Sequence, residues 1–249
     1  TRFHSTPMTN PNLKISIALI DLNAGVPNLG VPAIESRLRD AGLEWSRYEP
    51  RINQTMPVME HGAVILSGGP GSPQEDRPWR DIVLSWLASL DLKTPVLGIC
   101  MGCQLLAEVH GWSLRELEQP RFGVYPLGLT AEGQQDRVLG SLGSEATVFE
   151  QRRWGIFPRS NADGGLTLAR SEDGDATAFR FHDRVVGTIF HPEAAPGPVH
   201  DWFAGSTAAQ RKLLRRHGRG GLEHQLAQCS GLGATYERLI PTFLRDLSL

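Results

Sequence analysis

The chain has 249 residues, of which 40% are hydrophobic and 21% charged, with a formal net charge of −2. That is the composition of a globular protein long enough to bury one large core, and its near-neutral charge gives no pull toward nucleic acid or an anionic membrane. No apolar run reaches the roughly 18 residues of a membrane span, and three cysteines, an odd number, do not make a disulfide framework.

Residues 1–14, "TRFHSTPMTNPNLK", are polar and carry two prolines without the apolar stretch of a signal peptide, so a loosely attached lead-in and a cytoplasmic, reducing setting are expected. "ISIALID" (15–21) is a short, β-branched apolar run that reads as a buried parallel strand. A helix is predicted over 31–42, a strand over 43–49, and a further strand over 62–69 that runs into the loop "GGPGSP". "RPWRDIVLSWLASL" (77–90) has helical spacing, "TPVLGI" (94–99) reads as a strand, and "CQLLAEVHG" (103–111) as the helix after it. Strands alternating with helices predict an open α/β sheet of three layers. Beyond residue 112 the runs "FGVYPLGLT", "ATVFEQ", "LTLARS", "ATAFRF" and "VVGTIFH" lie close together with turn residues between them, and predict added antiparallel strands. From "PGPVHDWFAG" (196–205) onward the pattern is helical, giving an expected division into a main domain over 15–200 and a helical extension over 201–249 packed on it.

The junction "GICMGCQ" (98–104) sets Cys100 between a strand and a helix. A sharp turn there would lift the side chain above the carboxyl edge of the sheet, and the helix start would direct N–H groups and partial positive charge toward it, favouring thiolate. Gly98 and Gly102 give such a turn its room. The N–H of Met101 is a natural oxyanion donor, and the loop "SGGPGSP" can offer a second from Gly69 or Gly71. The bland reading of Cys100 is a buried structural cysteine, which suits Cys103 and Cys229 better. In "VVGTIFHPEAAP" (185–196) an apolar strand ends at His191, and Glu193, two residues on, can reach the imidazole and hold its tautomer. Cysteine, histidine and carboxylate in these relations follow the logic of a nucleophilic triad. No cluster with metal-ligand spacing occurs, and "GGPGSP" is neither a P-loop nor a dinucleotide fingerprint, so neither metal nor cofactor is expected.

Taken in order, "GGPGSP", "GICMGCQ", "RFGVYPL" (121–127) and "FHPE" resemble the class I glutamine amidotransferases over residues 15–200. The resemblance implies a flavodoxin-like, mostly parallel sheet, with Cys100 as nucleophile, His191 as base and acid, and Glu193 as its orienter. It implies an oxyanion hole from the backbone of Gly69 and Met101, and contacts from Gly71 and Gln104 to glutamine. The ammonia released would pass to a separate synthetase partner, since no acceptor-activating domain follows in this sequence. One segment departs from the family: in "FEQRRWGIFP" (149–158), Arg152, Arg153 and Trp154 are bulky where smaller residues are usual. An arginine there could pair with a substrate carboxylate and Trp154 could wall off the pocket. The substrate would then be another γ-glutamyl or carboxylate-bearing amide; a plain surface strand is the alternative. A non-catalytic binding protein on the same fold is the rival from another class, and it predicts a broken triad. In the extension, Arg211, Lys212, Arg215, Arg216 and Arg219 read as a solvated cationic helix face.

Overall fold

The computed structural model describes residues 15–26, 30–58, 61–159, 164–217 and 220–247; the expected lead-in over 1–14 and Arg219 lie outside these. Five strands make the parallel half of the sheet: β1 (Ser16–Ile20), β2 (Glu44–Tyr48), β3 (Ala63–Leu66), β4 (Val96–Ile99) and β10 (Val185–Thr188), in the order β2-β1-β3-β4-β10. Helices α1 (Gly30–Asp40), α3 (Pro78–Ala88) and α4 (Met101–Val109) connect them, with a four-residue turn of helix, α2 (Pro50–Asn53), after β2.

β1, β3, β4 and β10 are apolar on both faces because both faces are covered, whereas the edge strand β2 is polar and has no buried residue. Ile17, Leu19, Ile65, Leu97, Ile99 and Val186 point into a layer shared with α1, whereas Ala18, Ile20, Val64, Leu66 and Val96 point into one shared with α3 and α4. Successive side chains on a strand alternate between faces, which accounts for the unbroken apolar runs in the sequence.

The chain then adds an antiparallel half. The 14-residue β5 (Ser113–Pro126) pairs with β7 (Thr147–Phe157), with a register shift between Glu116 and Arg121. Between them come the two-residue β6 (Gly128–Leu129), the separated end of the run "FGVYPLGLT", and α5 (Ala131–Gln135), which is too short for a periodic signal. β8 (Gly165–Arg170) and β9 (Ala176–Phe181) follow, and the sheet continues past β10 as β9-β7-β5. The segment "VVGTIFH" differs from its expectation in one respect. β10 is antiparallel to β9 but parallel to β4, because the tight β9–β10 hairpin turns the chain back beside β4. His191 is thereby carried to the same edge as Cys100.

The remaining helices are α6 (Pro196–Ala204), α7 (Ala208–His217), α8 (Gly221–Gln228) and α9 (Gly233–Asp246). α9 runs through Pro241 and buries Leu239, Ile240, Phe243 and Leu244 in the layer that holds α1. Phe203, Leu214, Cys229 and Leu232 form a third cluster with Phe122 and Phe149, while Arg215 and Arg216 stay exposed. Among the described residues no helix is long and apolar enough to cross a membrane.

Candidate active site

Cys100 follows the last residue of β4 and precedes the first residue of α4 with φ 49° and ψ −106°, a region that a residue with a side chain rarely occupies. Two glycines make the turn possible. A Cβ at Gly98 would stand 2.4 Å from Leu106 Cδ1, and one at Gly102 would stand 2.5 Å from Leu66 Cβ, so α4 sits directly on β3 and β4. Cys100 N–H donates to Thr188 O at 2.8 Å, Cys100 O accepts from Gln104 N–H at 2.9 Å, and Gly102 N–H donates to Ser67 O at 3.2 Å. The strained turn is therefore tied to β10, α4 and the end of β3 at once.

The second element of the site hangs from β10. His191 N–H donates to Phe149 O at 2.9 Å, and His191 Nδ1 lies 2.8 Å from Glu193 Oε1. With Nδ1 held by a carboxylate, Nε2 is left for the thiol. How closely the two meet is shown by Gly68, where a Cβ would lie 2.9 Å from His191 Cε1 and 3.3 Å from Cys100 Cβ. Burial works against the imidazolium, but the charges of Glu193 and Cys100 and their hydrogen bonds outweigh it and hold the pKa of His191 well above its usual value. Burial, with the neighbouring Cys100 adding to it, raises Cys103 and leaves it the inert thiol of the pair.

A cavity of about 850 Å³ opens over these groups. It brings together every residue that the sequence singled out for the site: Cys100, His191 and Glu193, Gly69 and Met101, Gly71 and Gln104, and Arg152, Arg153 and Trp154 all line it. Met101 N–H is the first of α4 and by position has no partner within the helix. Gln104 Nε2 donates to Trp154 O at 3.1 Å, which fixes the 151–154 strand against α4.

Arg152 behaves differently from a free anion receptor. Its side chain is buried, Nε donates to Glu150 Oε2 at 2.6 Å, and its two terminal nitrogens meet the Asp175 carboxylate at 2.6 and 3.4 Å. Arg153 is 70% exposed and paired with Glu116 at 2.6 Å. Trp154 is half-buried against the α3–α4 layer.

Some of the site escaped the sequence. Gly68 lies inside the quoted glycine loop, yet nothing in the sequence sets it apart from Gly69. Phe149 walls the cavity beside His191 with Trp202 of α6 packed on it, and Gln151 O is 3.9 Å from Cys100 Sγ; Phe149 and Gln151 are brought in by the long-range placement of β7.

The family described as Glutamine amidotransferase class-I matches residues 24–205. A glutamine-hydrolyzing GMP synthase of Nitratidesulfovibrio vulgaris is 38% identical over 180 residues, 71% of this chain and 33% of that protein. In Sulfolobus acidocaldarius, one subunit of a glutamine-hydrolyzing GMP synthase is 29% identical over 137 residues, 55% of this chain and 69% of that one. The chain spans about a third of the length of the GMP synthases from Anaplasma marginale and Nitratidesulfovibrio vulgaris that it matches. A glutamine amidotransferase structure from Thermotoga maritima superposes with a TM-score of 0.74 over 94% of this chain and 98% of the other, at 19% identity, and shares its α/β architecture. Motif order, fold and family match agree, and the chain belongs to the class I glutamine amidotransferases.

Proposed function

We propose that the protein hydrolyses the side-chain amide of glutamine through a thioester on Cys100 and delivers the ammonia to a separate synthetase in the cytoplasm. The Cys100 thiolate attacks the amide carbon, and the oxyanion that forms is met by the N–H groups of Gly69 and Met101. His191 gives its proton to the leaving nitrogen, so the carbon–nitrogen bond breaks and ammonia departs. Water then loses a proton to His191 and attacks the thioester, releasing glutamate and returning the thiol. Glu193 keeps the imidazole in the tautomer both steps need. Gly71 and Gln104 hold the glutamine, with Arg153 and Trp154 at its amino-acid end and Arg152 fixing that strand from behind.

The observation that carries this reading is the strained Cys100 set against the His191–Glu193 pair. The relatives named for glutamine hydrolysis support the substrate, and the one named as a single subunit of GMP synthase supports a partner. The test is ammonium release from glutamine, with and without the partner, by the wild type and Cys100→Ala. Turnover should fall by orders of magnitude in the variant; wild-type activity without the thiol would remove the mechanism. A second reading, hydrolysis of a γ-glutamyl amide of a larger amine, is favoured by the 850 Å³ cavity, near the upper end of ligand pockets.

A further inference from the structure

Arg51 lies on α2, at the carboxyl end of β2, and its side chain is 11% exposed. Its Nη1 donates to Leu22 O at 3.1 Å and to Pro70 O at 2.5 Å, and lies 3.7 Å from Met101 Sδ. Its Nη2 donates to Glu75 Oε1 at 3.0 Å, and the same oxygen accepts from Trp79 Nε1–H at 2.8 Å. The guanidinium carbon stands 4.7 Å from the centre of the Trp79 ring. One cation thus touches the segments that follow β1 and β3, the first residue of α4, and α3.

We propose that Arg51 is a positioning residue for the oxyanion hole, a role that rests on the assignment of Gly69 and Met101 above. Arg51 holds the carbonyl of Pro70, next in the chain to Gly69, and contacts the side chain of Met101 itself. A Cβ at Gly69 would lie 2.2 Å from Leu22 O, so Gly69 rests on the same carbonyl that the guanidinium grips. Both donors are therefore referred to one rigid group. Loop carbonyls at a sheet edge lack ladder partners, and a guanidinium can satisfy several of them in fixed directions where an ammonium cannot. Glu75 fixes the guanidinium in turn. An oxyanion hole works only if its donors are already in place when charge develops, and a displacement of about 1 Å costs about 100-fold in rate.

The test compares wild type with Arg51→Met, Arg51→Lys and Glu75→Gln, the last retaining the guanidinium while weakening its anchor. Three quantities are read: kcat and KM for glutamine, the rate of Cys100 alkylation by iodoacetamide, and amide hydrogen exchange over residues 68–72. Alkylation makes no oxyanion, so it should stay within about twofold while kcat falls roughly 10- to 100-fold at nearly constant KM. Exchange over 68–72 should quicken several-fold in Arg51→Met, with Arg51→Lys and Glu75→Gln intermediate. Unchanged kcat, or equal losses in turnover and alkylation, would overturn the proposal. If no form of the protein turned over glutamine while the loop still loosened, the glutaminase reading would fall and the oxyanion-hole role with it, leaving Arg51 as an anchor of the loop alone.

Discussion

Cys100 occupies a backbone conformation that costs about 1–3 kcal/mol for a residue with a side chain, and backbone hydrogen bonds to β10, α4 and the end of β3 hold the turn in place. Cys100 is itself buried, and what the strain provides is its place in the cavity lining beside His191 without lengthening the connection from β4 to α4. The charges around His191 then fix a definite pH behaviour. Glu193 and the Cys100 thiolate favour the imidazolium, and burial favours the neutral ring. Removing either negative group must therefore lower the midpoint, and an NMR titration of His191 should show it falling in both Cys100→Ala and Glu193→Gln. A midpoint that stayed put in both would mean the pair is not electrostatically coupled. The stability contributed by this raised pKa is complete below the unfolded value of about 6.5 and is lost as pH rises through the folded value. In the proposed mechanism Glu193 orients and does not carry the proton, so Glu193→Gln should cost roughly 100-fold less kcat than His191→Ala. Equal losses would give Glu193 a share in the proton transfer.

At the scale of elements, the strand that carries Gln151, Arg152, Arg153 and Trp154 is held from behind by charge. Burial opposes the Arg152 cation, but Glu150 and Asp175 outweigh it and raise its pKa further. Replacing Arg152 with methionine would leave the buried Asp175 carboxylate without its cation, while Glu150 keeps Arg121 at 2.9 Å, and breaking a buried pair in this way costs about 3–5 kcal/mol. Thermal unfolding should show that loss, whereas an unchanged Tm with a large rise in KM would return Arg152 to the role of a substrate-carboxylate partner. These elements also show what a sequence can and cannot disclose. Cys100 in its strand–turn–helix and the pair His191 and Glu193 were legible because each arrangement is local, a matter of one to four residues. The partner Asp175 is 23 residues from Arg152 and joins it only through the β7–β9 side of the sheet. Arg51 was silent for the same reason, and its helix is four residues long, too short for any periodic pattern.

Across the whole molecule, the α/β rhythm was readable through residue 111 because strands buried on both faces leave continuous apolar runs. The antiparallel half was readable as strands but not as a pairing scheme, since register and neighbour are set by tertiary contact. β10 is the instructive case: its short run gives no sign that it lies parallel to β4, yet that neighbour is what brings the two halves of the site to one edge. The C-terminal helices bring Trp202, Val199 and Tyr236 to the cavity wall, so the pocket is completed by segments distant in sequence from the nucleophile and the glycine loop. Presentation of Cys100 to a γ-glutamyl amide by this composite pocket is tested most directly by intact-protein mass after treatment with a glutamine-mimicking electrophile, beside a small neutral thiol reagent and with Cys100→Ala as control. A single adduct from the mimic that is lost in Cys100→Ala is the expected result. Labelling of Cys100 by the small reagent alone would contradict a glutamine pocket, and labelling that survived in Cys100→Ala would contradict the nucleophile itself.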